Sequence, residues 1–385
     1  MKLINNVTVV SPDLYITEAS ILIDGDQIIK VYRPGKDIPY VTEVIDGTGL
    51  MAMPGFIDIH THGALGADVM HGDSEAIAIH ARAKVQEGVT SFLPTTLTAP
   101  QEDLKAAMKA VAKYARKPEY AKVPAVHIEG PYINEKCAGA QNPDFIRLPN
   151  SAEIKELNDL YDVAVVSLAV EKEGAMEFVK EATDLGIMCS AAHTEATFKE
   201  LKMAKRNGLR HLTHFCNQMT PLHHREIGLV GAGLMDNELK LELICDKIHL
   251  CPDMIQLIFK VQKIENLMLI TDSMEAAWLD DGRYDIGGLD VTVTNGEARL
   301  QSGSLAGSTL KFNEGLRNVY QLTNIPLEKL VMTTGWNQAQ SLGLENVGKL
   351  EAGYKADIVL LDNDFEIVKT FVDGKIKYDL AAVSV

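Results

Sequence analysis

The sequence predicts an α/β fold: a (β/α)8 TIM barrel with a small β-sandwich domain formed by both termini. Three observations predict it. Eight apolar runs of strand length recur between residues 56 and 274, helix-periodic stretches lie between most of them, and both ends of the chain read as short alternating strands. Near-continuous apolar strands joined by helices form a parallel sheet buried on both faces. Eight such units in one chain fit a closed barrel better than an open doubly wound sheet, and no Gly-x-Gly-x-x-Gly follows the first strand to mark a dinucleotide fold.

Residues 1–53 contain "LINNVTVVS", "EASILIDGDQIIKVY" and "EVIDGTGLMAM", where alternation and Gly/Asp turns dominate. The far end, "ADIVLLDNDFEIVKTFVDGKIKY", reads as two or three strands with Asn-Asp and Asp-Gly turns. Segments 1–53 and 350–385 are therefore assigned to the small β domain, and 54–349 to the barrel.

Within the barrel the strand runs are, in order, "FIDIHTH", "SFLPTTL", "AVHIEGP", "VAVVSLAVE", "IMCSAAHT", "HLTHFCN", "LELICDKIH" and "LMLITDSM". Between them, residues 74–88 begin at Ser74 and stop at Gly88. Residues 101–117 place acids first and bases last, as the helix dipole favours. Residues 173–186 and 197–208 also stop at glycine.

Composition narrows the function classes. The chain has 385 residues, 46% of them apolar, and a formal charge of −16. That charge argues against nonspecific nucleic-acid binding and against an anionic membrane surface, while leaving room for an anionic small molecule in a locally positive pocket. Cys137, Cys189, Cys216, Cys245 and Cys251 are odd in number and form no Cys-x-x-Cys, so a disulfide framework is not expected and a reducing cytoplasm is. The N-terminus lacks the apolar core of a signal peptide, and no window approaches the roughly 18 apolar residues of a membrane span.

The chemistry sits at the strand ends. His60 and His62 lie one residue apart at the end of the first run, so on a strand they share a face. The third run carries Glu129, the fifth His193, the sixth His214, the seventh His249 and the eighth Asp272. In a parallel barrel these ends gather on one rim, where active sites of this architecture lie. Each residue alone has a plainer reading, as a hydrogen-bonded histidine or a helix cap. Together they predict a metal site. Imidazoles and a carboxylate suit Zn2+, with Fe2+, Mn2+ or Co2+ as alternatives. Glu129, His193 and His214 supply three ligands and leave a position for water. His60 and His62 would take a second ion with Glu129 bridging, giving one or two ions per subunit. Such an ion lowers the pKa of bound water from about 15.7 to about 7, so metal hydroxide is the expected nucleophile. Asp272 is the expected general base, and then the acid that serves the leaving group.

"PGFIDIHTHG" resembles the opening signature of the amidohydrolase superfamily. "HIEGPYINEKCAGAQNP", "AAHTEAT", "LTHFCNQMTPLHHREIG", "LITDSMEAAW" and "SGSLAGSTL" resemble, more narrowly, its N-acetylglucosamine-6-phosphate deacetylase family, in family order across nearly the whole chain. The resemblance implies removal of acetate from the amino sugar phosphate to give glucosamine 6-phosphate. It implies Glu129, His193 and His214 as the main metal ligands and Asp272 as the catalytic aspartate. Substrate contacts are implied for Ala140, Gln141, Asn217, Gln218, Arg225, His249, Leu305, Ala306 and Gly307, and a homodimer for the assembly. Independently, a guanidinium flanked by His223 and His224 suits a phosphate.

The chain departs from the family pattern at Lys247 in "CDKIHLCPD", where Ala-Asp-Gly-x-His is expected, at Gln218 in "FCNQM", and at Gln141, where some members carry His. Two other activities compete: the same hydrolysis on N-acetylgalactosamine 6-phosphate, and a cyclic amidase of the dihydroorotase or hydantoinase type. The latter usually carries a bridging lysine on the fourth strand, and "VAVVSLAVE" has none.

Overall fold

All eight barrel runs form strands. They are β1 Phe56–Thr61, β2 Val89–Thr96, β3 Val126–Glu129, β4 Val163–Leu168, β5 Met188–Ala191, β6 His211–Leu212, β7 Lys240–Ile244 and β8 Leu267–Ile270. Each pairs in parallel with the next in one eight-stranded sheet. The computed structural model describes residues 1–383, so Ser384 and Val385 at the end of the expected 350–385 segment lie outside the described residues.

No ladder joins β8 to β1. The seam is closed by single bonds, with the Asp272 amide donating to the His60 carbonyl at 2.8 Å and the Thr271 amide to Asp58 Oδ1 at 3.3 Å. The eight-stranded barrel is therefore nearly, not fully, laddered.

One helix follows each strand: α1 Ser74–Gln86, α2 Gln101–Ala115, α3 Ser151–Leu160, α4 Ala175–Asp184, α5 Phe198–Arg206, α6 Gly228–Met235, α7 Pro252–Val261 and α8 Phe312–Leu322. In α2, Leu104, Ala107, Met108 and Val111 recur at helical spacing and are buried, each large side chain contributing about 1.5–3 kcal/mol. Helix α1 opens one residue before its Ser74, on Asp73, whose carboxylate accepts from the Glu75 amide at 3.1 Å. Helix α5 opens with the Thr197–Glu200 capping box. Gly88 leaves α1 at φ 81°, and a Cβ there would sit 2.9 Å from the Phe56 ring, so both the turn and the packing require glycine.

Strands from both termini share a second, mixed sheet in the order Lys375–Asp379, Ile367–Val372, Ile358–Leu361, Met51–Pro54, Lys2–Ser11, Leu14–Asp24, Gln27–Tyr32, with Glu43–Asp46 also on Lys2–Ser11. Ile4, Val9, Ile21, Ile358 and Phe371 lie in its buried core. A third sheet was not foreseen. Gly282–Ile286, Leu289–Thr294 and Glu297–Leu300 form an antiparallel meander between β8 and α8. It buries Ile286, Val291, Val293 and Ala298 with Leu97 and Met274, beside the barrel mouth. No helix among the described residues is long and apolar enough to cross a membrane.

Candidate active site

Alternation along β1 sets the first pair of imidazoles. Thr61 faces outward, with its hydroxyl 2.8 Å from His80 Nε2 and 2.8 Å from Ser273 Oγ. His60 and His62 on either side therefore face inward, with their Nε2 atoms 3.3 Å apart. Gly63, next along, lets the chain turn under Ala67: a Cβ there would meet the Ala67 carbonyl oxygen at 2.1 Å.

The remaining groups arrive from the other strand ends. Glu129 ends β3. His193, His214 and Asp272 lie just beyond β5, β6 and β8, with φ of 45°, 32° and 51°. A non-glycine residue in this left-handed region costs on the order of 1–3 kcal/mol and is typical of functional sites. Here the strained backbone brings three side chains back over the mouth of the barrel.

The donor atoms converge on one carboxylate. Glu129 Oε1 lies 3.1 Å from His214 Nε2 and 3.4 Å from His193 Nε2, and those two nitrogens are 3.1 Å apart. Glu129 Oε2 lies 3.3 Å from His62 Nε2. Asp272 Oδ1 lies 3.1 Å from His62 Nε2 and 3.4 Å from His60 Nε2. Ligand atoms about 2.0–2.1 Å from a tetrahedral metal sit about 3.3–3.4 Å from one another. The observed separations therefore fit divalent ions in two groups that share Glu129. Paired imidazole nitrogens at these distances need either a shared proton or a cation between them.

Outer contacts set the tautomers. His62 Nδ1 donates to the Thr95 carbonyl at 3.1 Å and His193 Nδ1 to the Cys137 carbonyl at 2.7 Å, which leaves both Nε2 atoms free to ligate. His60 Nδ1 and His214 Nδ1 are buried without a hydrogen-bond partner.

Charges are shifted in the same sense. Burial pushes the Asp272 carboxyl up, but the His60 and His62 imidazoles more than offset it and hold it below its usual range. Glu129 is likewise buried, and His60, His193 and His214 hold it well below its usual range. Burial works against charge on His62, yet Asp272 and Glu129 carry it up to about 9. His60 is raised well above its ordinary value against the same burial penalty. Opposite charges concentrated in a water-poor cleft are the electrostatic signature of a reactive site.

A cavity of about 290 Å3 opens above these groups. Its walls include His62, Glu129, His193, His214 and Asp272, and with them Ala140, Gln141, Asn217, Gln218, His249, Leu305 and Gly307 from the expected substrate contacts. Gln141 Nε2 donates to Glu129 Oε2 at 2.6 Å, while its Oε1 accepts from the Thr98 amide at 2.7 Å. Its amide therefore buttresses the bridging carboxylate. His249 Nδ1 lies 2.6 Å from Asp246 Oδ2; burial works against its charge, but Asp246 raises its pKa above the ordinary value. His60 is fully buried beneath the cavity floor, and Ala306 is buried with its amide donating to the Ala298 carbonyl at 3.0 Å.

Arg225 does not join the group. The turn carrying it is closed by two backbone bonds between His223 and Glu226, at 3.1 and 3.2 Å. Its side chain is exposed beside α5 and lines a separate depression with Phe198, Lys199, Lys202 and Arg206. The cation that does line the cavity is Arg299, on the unforeseen meander, and no other lysine or arginine lines it among the described residues. Arg299 bonds the Gly303 carbonyl at 2.5 Å and pairs with Glu297. Leu97, Ile286 and Ser304 were also missed.

Lys247 sits at φ 69°, which accounts for the glycine expected at that position. The thiols of Cys137 and Cys216 are pushed up by burial, to about 11 and about 12, so they stay protonated at neutral pH. Cys216 packs against the barrel core, whereas Cys137 is half-buried and joins no hydrophobic cluster among the described residues.

Comparison with known proteins agrees with this geometry. The chain is 37% identical over 336 residues, 86% of its length and 87% of the relative's, to an N-acetylglucosamine-6-phosphate deacetylase of Lysinibacillus sphaericus. It is 36% identical over 88% of its length and 90% of the relative's to an N-acetylgalactosamine-6-phosphate deacetylase of Escherichia coli O157:H7. The Mycobacterium smegmatis N-acetyl-D-glucosamine-6-phosphate deacetylase, solved as a mutant in complex with N-acetyl-D-glucosamine-6-phosphate, superimposes with a TM-score of 0.92 at 28% identity, covering 98% of this chain and 99% of that one. With residues 51–377 matching the family as a whole, the chain belongs to the amidohydrolase family.

Proposed function

We propose that this chain hydrolyses the acetamide of N-acetylglucosamine 6-phosphate, releasing acetate and glucosamine 6-phosphate. The observation that carries the reading is the position of Asp272, 3.1 Å from His62 and beside the Glu129-centred cluster, in the wall of a cavity sized for one small molecule. The relatives' activities support the substrate class.

Glu129, His193 and His214 would hold one divalent ion and His60 and His62 a second, with zinc the expected metal. Bound there, the metal supplies Lewis acidity toward the acyl oxygen and an acidified water. Asp272, ionised at neutral pH, takes a proton from the attacking water. Water oxygen bonds to the acetyl carbon, the carbon–nitrogen bond breaks, and Asp272 returns the proton to the departing amine. Asn217, Gln218 and the Leu305–Gly307 segment orient the sugar. His249, polarised by Asp246, and Arg299 face the phosphate.

The proposal retains a cytoplasmic homodimer, in which the exposed Arg225 is available to a second copy. Acetate release from four compounds tests the reading: N-acetylglucosamine 6-phosphate, its galacto epimer, unphosphorylated N-acetylglucosamine, and dihydroorotate as a cyclic amide control. Preferred turnover of the first is expected. A preference for the galacto epimer would reassign the sugar, and turnover of dihydroorotate alone would overturn the reaction class.

A further inference from the structure

The barrel interior beneath the site is not apolar. His60, His127, Ser167, His211, Thr213 and Glu242 form a buried polar layer there. Glu242, on β7, is fully buried. Its Oε1 receives a hydrogen bond from His211 Nδ1 at 3.0 Å, and Ser341 Oγ lies 2.6 Å from His211 Nε2. Its Oε2 has no hydrogen-bond partner, and neither has His60 Nδ1, yet these two orphaned atoms face each other across 3.6 Å.

We infer that Glu242 is a positioning residue for His60: its free carboxylate oxygen fixes the proton on His60 Nδ1 and so presents the His60 Nε2 lone pair to the second ion site. The inference rests on the metal-dependent function proposed above. A separation of 3.6 Å is longer than a hydrogen bond, but no other group competes for either atom, and a small rotation of the imidazole closes it. His211 can serve only one oxygen, since its Nδ1 proton is committed to Oε1 and its Nε2 to Ser341. His127 is not an alternative recipient, nor is the His60–His127–Glu242 trio a third metal site. His127 Nδ1 donates to the Ile59 carbonyl at 3.0 Å and its Nε2 lies 2.7 Å from Ser167 Oγ, so both ring nitrogens are engaged.

His62 and His193 make the same kind of contact to backbone carbonyls. Among these three, only His60 is backed by a carboxylate. An anionic partner makes an imidazole a stronger ligand than a neutral carbonyl does, and removing such a partner typically weakens metal binding 10–100-fold. The effect therefore falls on the ion held by His60 and His62, and spares the one held by Glu129, His193 and His214.

The test uses full-length protein stripped of metal, titrated with Zn2+ against a chromophoric chelator and melted with and without the ion. Wild type is expected to take up two ions. Glu242→Gln, which keeps size and shape, is expected to bind the first unchanged and the second 10–100-fold more weakly. Its metal-free melting temperature should be unchanged or higher, while the increment gained on adding Zn2+ shrinks. Equal second-ion affinity in Glu242→Gln and wild type overturns the inference. So does a lowered metal-free melting temperature with both affinities intact, which marks a purely structural role, and so does a wild type that takes up a single ion. A wild type that binds no ion sinks the proposed function itself, and this inference with it.

Discussion

The backbone amide of Asp272 donates to the carbonyl of His60 at 2.8 Å, across the one junction of the barrel that has no ladder. The proposed base and the first proposed ligand histidine are thus registered against each other by main chain, independently of their side chains. Substituting the carboxylate alone leaves that register in place. Asp272→Asn is expected to retain its metal and its melting temperature while kcat falls about 10²–10⁴-fold, the usual share of a general acid–base group. Acetate release and metal analysis on the same preparation check this, and wild-type turnover in the variant would remove Asp272 from its role.

The same junction has a second clamp. Lys84, fully buried on α1, places its Nζ 3.1 Å from each of Asp58 Oδ2, Glu87 Oε2, Thr271 Oγ1 and Ser273 Oγ, four acceptors that share its three N–H donors. Two of these acceptors flank Asp272, and a third lies two residues before His60. Burial works against the ammonium, but Glu87 and Asp58 outweigh it and raise its pKa, so the lysine stays charged. Lys84→Met removes one partner and strands two buried carboxylates, a change expected to cost about 3–5 kcal/mol. Urea unfolding measures it. A loss below about 1 kcal/mol would mean that the seam does not depend on this charge.

Much of this arrangement was legible in the sequence. Six of the eight barrel strands are apolar runs that end in a His, Glu or Asp of the rim, and that pattern survives any uncertainty over helix limits. It put His60, His62, Glu129, His193, His214 and Asp272 on one rim, and the structure brings them together. Residues whose role depends on which way a loop turns were not legible. Arg225 has the local chemistry of a phosphate ligand, but its turn lies over α5. Arg299 sits in an alternating segment, half apolar and half polar, whose docking beside the barrel mouth no local pattern states. Glu242 lies inside an apolar run, and only barrel closure shows that it faces His60.

Arg299 carries a prediction of its own. A substrate phosphate entering a chain of net charge −16 needs a local cation, and Arg299 is the one that lines the cavity among the described residues. Arg299→Ala should raise KM for N-acetylglucosamine 6-phosphate about tenfold or more with little change in kcat, since a charge-assisted hydrogen bond contributes about 1.5–3 kcal/mol. Turnover of the unphosphorylated sugar should be unaffected. A parallel loss on both sugars would mean that Arg299 holds the meander in shape and does not contact phosphate.

Asp68 offers a test of stability against pH. It is buried at the entry to a short helical turn, where Oδ1 accepts from the Met70 amide at 2.7 Å and Oδ2 has no hydrogen-bond partner. Burial pushes its pKa from 3.8 up to about 6, against the pull of His62 and the Met70 amide. The folded state therefore prefers the protonated acid. Below about pH 3.8 both states are protonated and nothing is lost; between 3.8 and 6 stability falls as pH rises; above 6 the full penalty persists. Asp68→Asn keeps the acceptor for Met70 and removes the charge. It should stabilise the metal-free protein at pH 7.5 by about 1–3 kcal/mol, and by almost nothing near pH 4. Asp68→Ala, which also loses the cap, should gain less. Urea unfolding of wild type and both variants at the two pH values, with chelator present throughout, decides the matter. If Asp68→Asn and wild type stay equally far apart at both, burial of this charge is not what sets the difference.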